Sequence, residues 1–167
     1  MEVKIIRSQR RRRSVNARLI NDLLVVNAPA LLSQVHLDEI INGFKIKFAK
    51  IKIKNELDKK ESLRDLAKEL NKEYFNSELK IESIEYVTGQ NSRFGCCNYR
   101  TGRIRISHKI GMMPRWVRKY VLIHEMAHLV EPNHSRSFWN IVLRYRLTER
   151  ARGYLMAVGS IKAPLEC

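Results

Sequence analysis

His124-Glu125-Met126-Ala127-His128 is an H-E-x-x-H arrangement, and its chemistry follows from helical spacing. Residues four apart on a helix lie one turn above each other, with Cβ atoms about 5–6 Å apart. Two imidazoles so placed can reach one ion at Zn–N distances of about 2.0–2.1 Å. Glu125, beside the first imidazole, points around the rim, where it can take a proton from a metal-activated water without binding the metal. A catalytic zinc also needs a third protein ligand and an open fourth position. His134 follows six residues after His128, just past Pro132. The turn Glu131-Pro132-Asn133 lets the chain double back toward the ion. Glu131 is a rival third ligand on about the same helix face, as in sites built from two His and one Glu. Three neutral imidazoles leave the full charge of one zinc per chain to acidify water toward a pKa of about 7.

These groups need a helix beneath them and a stop behind them. Residues 116–130 have helical spacing, Pro114 suits the first turn, and Pro132 ends the run. A last amphipathic helix is expected over residues 137–152, with Phe138, Ile141, Val142 and Tyr145 inward. Upstream, residues 81–87, 93–97 and 103–107 read as short strands of a small sheet, with Thr101-Gly102 as a turn. Residues 61–75 carry one apolar face of Leu63, Leu66, Ala67, Leu70 and Tyr74, a helix.

Residues 34–60 are ambiguous. Phe44, Ile46 and Phe48 alternate with lysines as in a strand, yet Leu37, Ile41, Phe44, Phe48 and Ile51 form a longer helical stripe. The longer pattern favours a helix with a solvated lysine face. Residues 3–6, 15–20 and 23–26 are short apolar runs, and Asn21-Asp22 supplies a β-hairpin turn that Pro29 closes. Two regions follow: an N-terminal β-hairpin subdomain at 1–33, then a helical linker region and a catalytic domain at 34–167.

Composition excludes several classes. The 167 residues are 44% hydrophobic and 29% charged, which is globular usage. The most apolar stretch, residues 23–32, is broken by Asn27 and Pro29 and falls far short of the roughly 20 residues of a membrane span. The run Arg10-Arg11-Arg12-Arg13 is followed by polar residues where the apolar core of a signal peptide would begin. Cys96, Cys97 and Cys167 cannot form a disulfide framework, so reduced thiols and a cytoplasmic location are expected. The formal charge of +15 attracts polyanions without naming one.

Residues 93–139 resemble the YgjP-like metal-dependent hydrolases, relatives of the SprT-like zinc proteases. The family's H-E-x-x-H-x₅-H pattern stands here as His124, Glu125, His128, Leu129, Asn133, His134, Ser135, Phe138 and Trp139. Its R-W-G-S-C strand stands as Arg93, Phe94, Gly95, Cys96 and Cys97, with Phe for Trp and Cys for Ser. The resemblance implies an α+β, zincin-like catalytic domain: a small twisted sheet plus an active-site helix. It implies zinc held by His124, His128 and His134, with Glu125 as catalytic base. It also implies an edge strand, residues 93–97 or 103–107, that pairs with an extended substrate.

Peptide-bond cleavage is the expected reaction. A nucleoside triphosphate (UTP) pyrophosphatase activity on the same metal is an alternative, because activated water attacks carbonyl carbon and phosphorus alike. Residues 84–167 carry 14 Lys+Arg against 5 Asp+Glu, and Arg93, Arg103, Arg105, Arg115, Arg118, Arg136, Arg144 and Arg146 are expected around the site. A third reading is a basic nucleic-acid-associated protein with a non-catalytic zinc, whose binding falls steeply with salt. His108, the cysteines and Trp116 read as ordinary surface or core residues, and the oligomeric state is open.

Overall fold

The computed structural model describes residues 1–90 and 93–158; Cys167 lies outside them. The chain divides into two compact units, residues 1–53 and 54–167. Its described part is mixed α+β, with two three-stranded sheets and six helices.

In the first unit, β1 (Glu2–Ser8), β2 (Asn16–Ile20) and β3 (Leu23–Pro29) form a sheet of order β1-β3-β2. Asn21 and Asp22 join β2 to β3 with positive φ values of 47° and 64°, the backbone twist a two-residue hairpin needs. The hairpin is therefore as expected, but β1 adds to it in parallel, Val3 opposite Leu24 and Ile5 opposite Val26. That makes β3 the central strand, and its Leu24, Val26 and Ala28 are wholly buried. Leu37 and Ile41 of α1 (Gln34–Lys60) complete this core, with Phe44 and Phe48 at its margin. The helical stripe thus prevails over the strand-like alternation. Lys47, Lys50 and Lys52 are exposed, and Lys52 reaches the hairpin-turn carboxylate of Asp22 at 3.0 Å.

In the second unit, the last turns of α1 precede α2 (Leu63–Phe75), which Ser62 caps by accepting the Asp65 N–H at 3.3 Å. Asn76, at φ 53°, ends the helix in the left-handed conformation. The strands β4 (Ser83–Val87), β5 (Gly95–Asn98) and β6 (Arg103–Ser107) lie in the order β4-β6-β5. β6 runs parallel to β4 and antiparallel to β5. Of the two strands considered for the substrate edge, β6 is central and β5 is at the edge.

The short α3 (His108–Gly111) leads to α4 (Arg115–Ala127), α5 (Arg136–Val142) and α6 (Thr148–Val158). Every residue from Tyr120 to His128 is buried, so α4 is enclosed on all sides in its second half. Gly111 lets α3 approach α1, since a Cβ there would lie 2.8 Å from both Leu57 methyl carbons. No helix among the described residues is long and apolar enough to cross a membrane.

Two helix boundaries differ from expectation. α4 ends at Ala127 rather than near residue 130: tighter bonds take over, from Leu129 N–H to the Met126 carbonyl and from Val130 N–H to that of Ala127. The expected single helix over 137–152 is broken into α5 and α6. The Thr148 hydroxyl reaches the carbonyl oxygens of Val142 and Tyr145, both at 2.8 Å. It caps the end of one helix while starting the next, although the apolar spacing continues across the break.

Candidate metal centre

α4 supplies two imidazoles. His124 lies in its last turn, and His128 is its C-terminal cap, still in right-handed helical conformation at φ −66° and ψ −16°. The one-turn relation therefore survives the end of the regular helix, and the two ring centroids are 5.1 Å apart. His134 comes from the irregular stretch before α5. Its ring centroid lies 5.1 Å from that of His124 and 4.7 Å from that of His128. Among the described residues, these three are the group of metal-ligating side chains that converges, with one donor atom from each all within 4.8 Å of one another.

The donor set fits a tetrahedral divalent ion. The Nε2 atoms of His124 and His134 are 3.1 Å apart, close to the roughly 3.3 Å between two ligands of an ion at about 2.05 Å. His128 donates its Nδ1–H to the Glu131 carbonyl at 3.3 Å, because a carbonyl can only accept. Its Nε2 is then the lone-pair atom, and that atom is buried with no hydrogen-bond partner. Burial and the neighbouring His134 hold the His128 ring below its ordinary pKa, in the neutral form a metal requires.

Glu131, the rival third ligand, does not join the converging group. It contributes its main-chain carbonyl to the orientation of His128 instead.

Phe138 forms the floor of the site. It is wholly buried, and its ring centroid lies 4.8, 4.5 and 4.6 Å from those of His124, His128 and His134. The Ser135 hydroxyl places it by accepting the Phe138 N–H at 3.3 Å. As core packing it was foreseeable; its contact with all three imidazoles was not.

Glu125 leaves α4 about 100° around from His124 and packs against β5. A Cβ on Gly95 would lie 2.6 Å from the Glu125 carboxyl carbon and 2.7 Å from its Cγ. A glycine is therefore the residue that admits this carboxylate beneath the strand. Glu125 is 1% exposed, and its Oε2 is buried without a protein partner. Desolvation pushes its pKa up to about 8 in the metal-free site, while the Arg93 guanidinium opposes that rise. Gly95 stood in the R-F-G-C-C run with no role attached, because only the fold brings it to Glu125.

Three of the eight arginines expected around the site are engaged elsewhere. Arg115 bonds Glu61 at 2.6 Å and Glu69 at 2.8 Å, and Arg118 bonds Glu61 at 2.8 Å. Arg144 donates to the Tyr74 carbonyl at 3.1 Å. These three tie α4 to α2 and to the connection before it, and the α5–α6 connection to α2, and Arg93 is the one whose charge acts on Glu125. Cys97 is buried and Cys96 half-buried on β5. His108 begins α3 and is not part of the imidazole group.

No curated protein sequence matches the chain. Among solved structures, its fold is similar to that of the metallopeptidase zymogen of Pyrococcus abyssi abylysin. The TM-score is 0.51 at 19% identity, covering 57% of this chain and 92% of that one. The family model for the YgjP-like metallopeptidase domain matches residues 33–146. The chain belongs to the YgjP-like metallopeptidase family, whose metal-dependent hydrolytic chemistry accords with three converging imidazoles beside a buried carboxylate.

Proposed function

We propose that the chain is a zinc-dependent peptidase in which His124, His128 and His134 hold one ion and Glu125 is the general base. The observation that carries this reading is the packing of Glu125 against Gly95. The base lies directly beside the edge strand to which an extended peptide main chain would add. A bound zinc supplies Lewis acidity, brings a water toward a neutral pKa, and by its charge favours the ionised form of the neighbouring carboxylate.

The chain's own residues do the rest. Glu125 accepts the proton of the attacking water at its unpartnered Oε2 and hands it to the departing amine. Arg93 helps keep that carboxylate ionised. β5 presents an edge to the substrate main chain, where the Gln90 side-chain amide now donates to the Gly95 carbonyl at 3.1 Å and gives way to a strand that fixes the scissile carbonyl relative to Glu125. The nucleotide reading loses part of the support it drew from charge, since three of its eight arginines, Arg115, Arg118 and Arg144, are committed to other partners.

The test offers zinc-loaded protein a denatured protein and a nucleoside-triphosphate panel in parallel, with Glu125→Gln as control. Peptide cleavage that falls by about 100-fold or more in the variant, at retained zinc stoichiometry, supports the reading. Pyrophosphate release without peptide cleavage replaces it with the nucleotide activity. Salt-sensitive nucleic-acid binding with no turnover replaces it with the non-catalytic module.

A further inference from the structure

His124 and His128 are held by a buried helix, but His134 is not. It sits in an irregular stretch and is only half-buried, so side chains rather than backbone must hold its ring. Phe138 meets it edge to face, at 76°. The other wall is Trp139, whose indole lies at 5.9 Å and 30° from the His134 ring and at 6.1 Å and 67° from the His124 ring. Trp139 is itself covered by α6: the Arg152 guanidinium carbon stands 4.9 Å from the indole centroid. Glu149, one turn earlier, holds that guanidinium with contacts of 2.9 and 3.1 Å.

From this chain of contacts we infer that Trp139 and Arg152 are positioning residues for His134, through which the seating of α6 sets the affinity of the metal centre. The inference rests on His134 being the third ligand. An indole fixed by a cation on its face restricts the tilt of the imidazole packed on it. A ligand held close to its bound orientation loses less freedom on coordination. Neither residue belongs to the converging donor group, so each acts through the His134 ring.

The experiment measures zinc affinity of the full chain by competition with a chromophoric chelator, alongside the melting temperature of the metal-free protein. His134→Ala serves as reference. Arg152→Gln is expected to weaken zinc binding by about two- to fivefold, and Trp139→Leu by about tenfold or more. The metal-free melting temperature of Arg152→Gln stays close to that of the parent. Arg152→Lys, which keeps a cation, recovers most of the loss. In the Trp139→Leu background, Arg152→Gln adds no further loss, because its route to the ligand is gone. Trp139→Phe gives an intermediate affinity and stands in if the Leu variant does not fold.

Unchanged zinc affinity in Arg152→Gln and the Trp139 variants, with a large loss in His134→Ala, overturns the inference while leaving the metal site intact. Full additivity of the Arg152 and Trp139 effects overturns it too. Unchanged affinity in His134→Ala overturns the third ligand itself, and this inference with it.

Discussion

Gly95 and Glu125 meet in a contact that a hydrogen on Cα allows and a methyl group does not. α4 contributes the carboxylate and the edge strand contributes the space for it, with a Cβ at Gly95 falling 2.6 Å from the carboxyl carbon. The same glycine is buried in β5, opposite Ile106 of the central strand, so it cannot simply move away.

Gly95→Ala is therefore expected to displace the base more than the ligands. Peptidase activity should fall by at least about tenfold, as misplacement of a reacting group by an ångström can cost more than that. Zinc binding, which the proposed site assigns to three imidazoles rather than to Glu125, should stay within a few-fold. Steady-state hydrolysis and metal titration of the same preparation check this. A variant with full activity would show that the carboxylate does not need its place beneath β5.

The two candidates for third ligand separate cleanly. Glu131 acts through its main-chain carbonyl, so Glu131→Ala keeps that group and should keep zinc affinity within about threefold. His134→Ala removes a donor atom 3.1 Å from its His124 counterpart and should weaken zinc by about 100-fold or more. Chelator competition decides, and the reverse order of the two effects would transfer the ligand role to Glu131.

Much of this architecture was legible because it depends on local periods. The one-turn spacing of His124 and His128 needs only a helix, and the long stripe of Leu37, Ile41, Phe44 and Phe48 was enough to choose helix over strand. Asn21 and Asp22 tolerate positive φ, so the hairpin between β2 and β3 could be read from two residues. What escaped reading is non-local. No period in residues 3–6 says that β1 joins β3 in parallel, and nothing about Gly95 alone points to Glu125. The break between α5 and α6 was hidden for a different reason. The apolar spacing runs on through Tyr145, while one hydroxyl at Thr148 captures the carbonyls that end the helix.

Thr148→Val tests that account. Valine keeps the volume but removes the hydroxyl proton that the Val142 and Tyr145 carbonyls share in a residue that is 2% exposed, leaving them the Tyr145 and Thr148 main-chain N–H donors at 3.2 and 3.0 Å. The expected cost is about 0.5–1.5 kcal/mol of folding stability, read as a lower urea midpoint at unchanged slope. A neutral substitution would mean that the chain breaks there for reasons of packing alone.

The ion-pair network between α2 and α4 predicts a pH dependence whose sign follows from Glu69. Its carboxyl is held below the ordinary value of 4.5, first by the hydrogen bond from Lys119, then by the charges of Lys119 and Arg115, with desolvation opposing. A carboxylate whose folded pKa is depressed stabilises the fold at pH values above its unfolded pKa. That contribution fades as pH falls through the folded value. The Glu69 side chain is 44% exposed, so solvent screening limits the contribution to less than about 1 kcal/mol. Glu69→Gln should accordingly be slightly less stable than the parent at about pH 7, and the gap should narrow as the pH is lowered below the unfolded pKa and close below the folded value. Urea unfolding across an acid pH series measures it. A gap that persists or widens in acid would mean that Glu69 acts through its packing rather than through its charge.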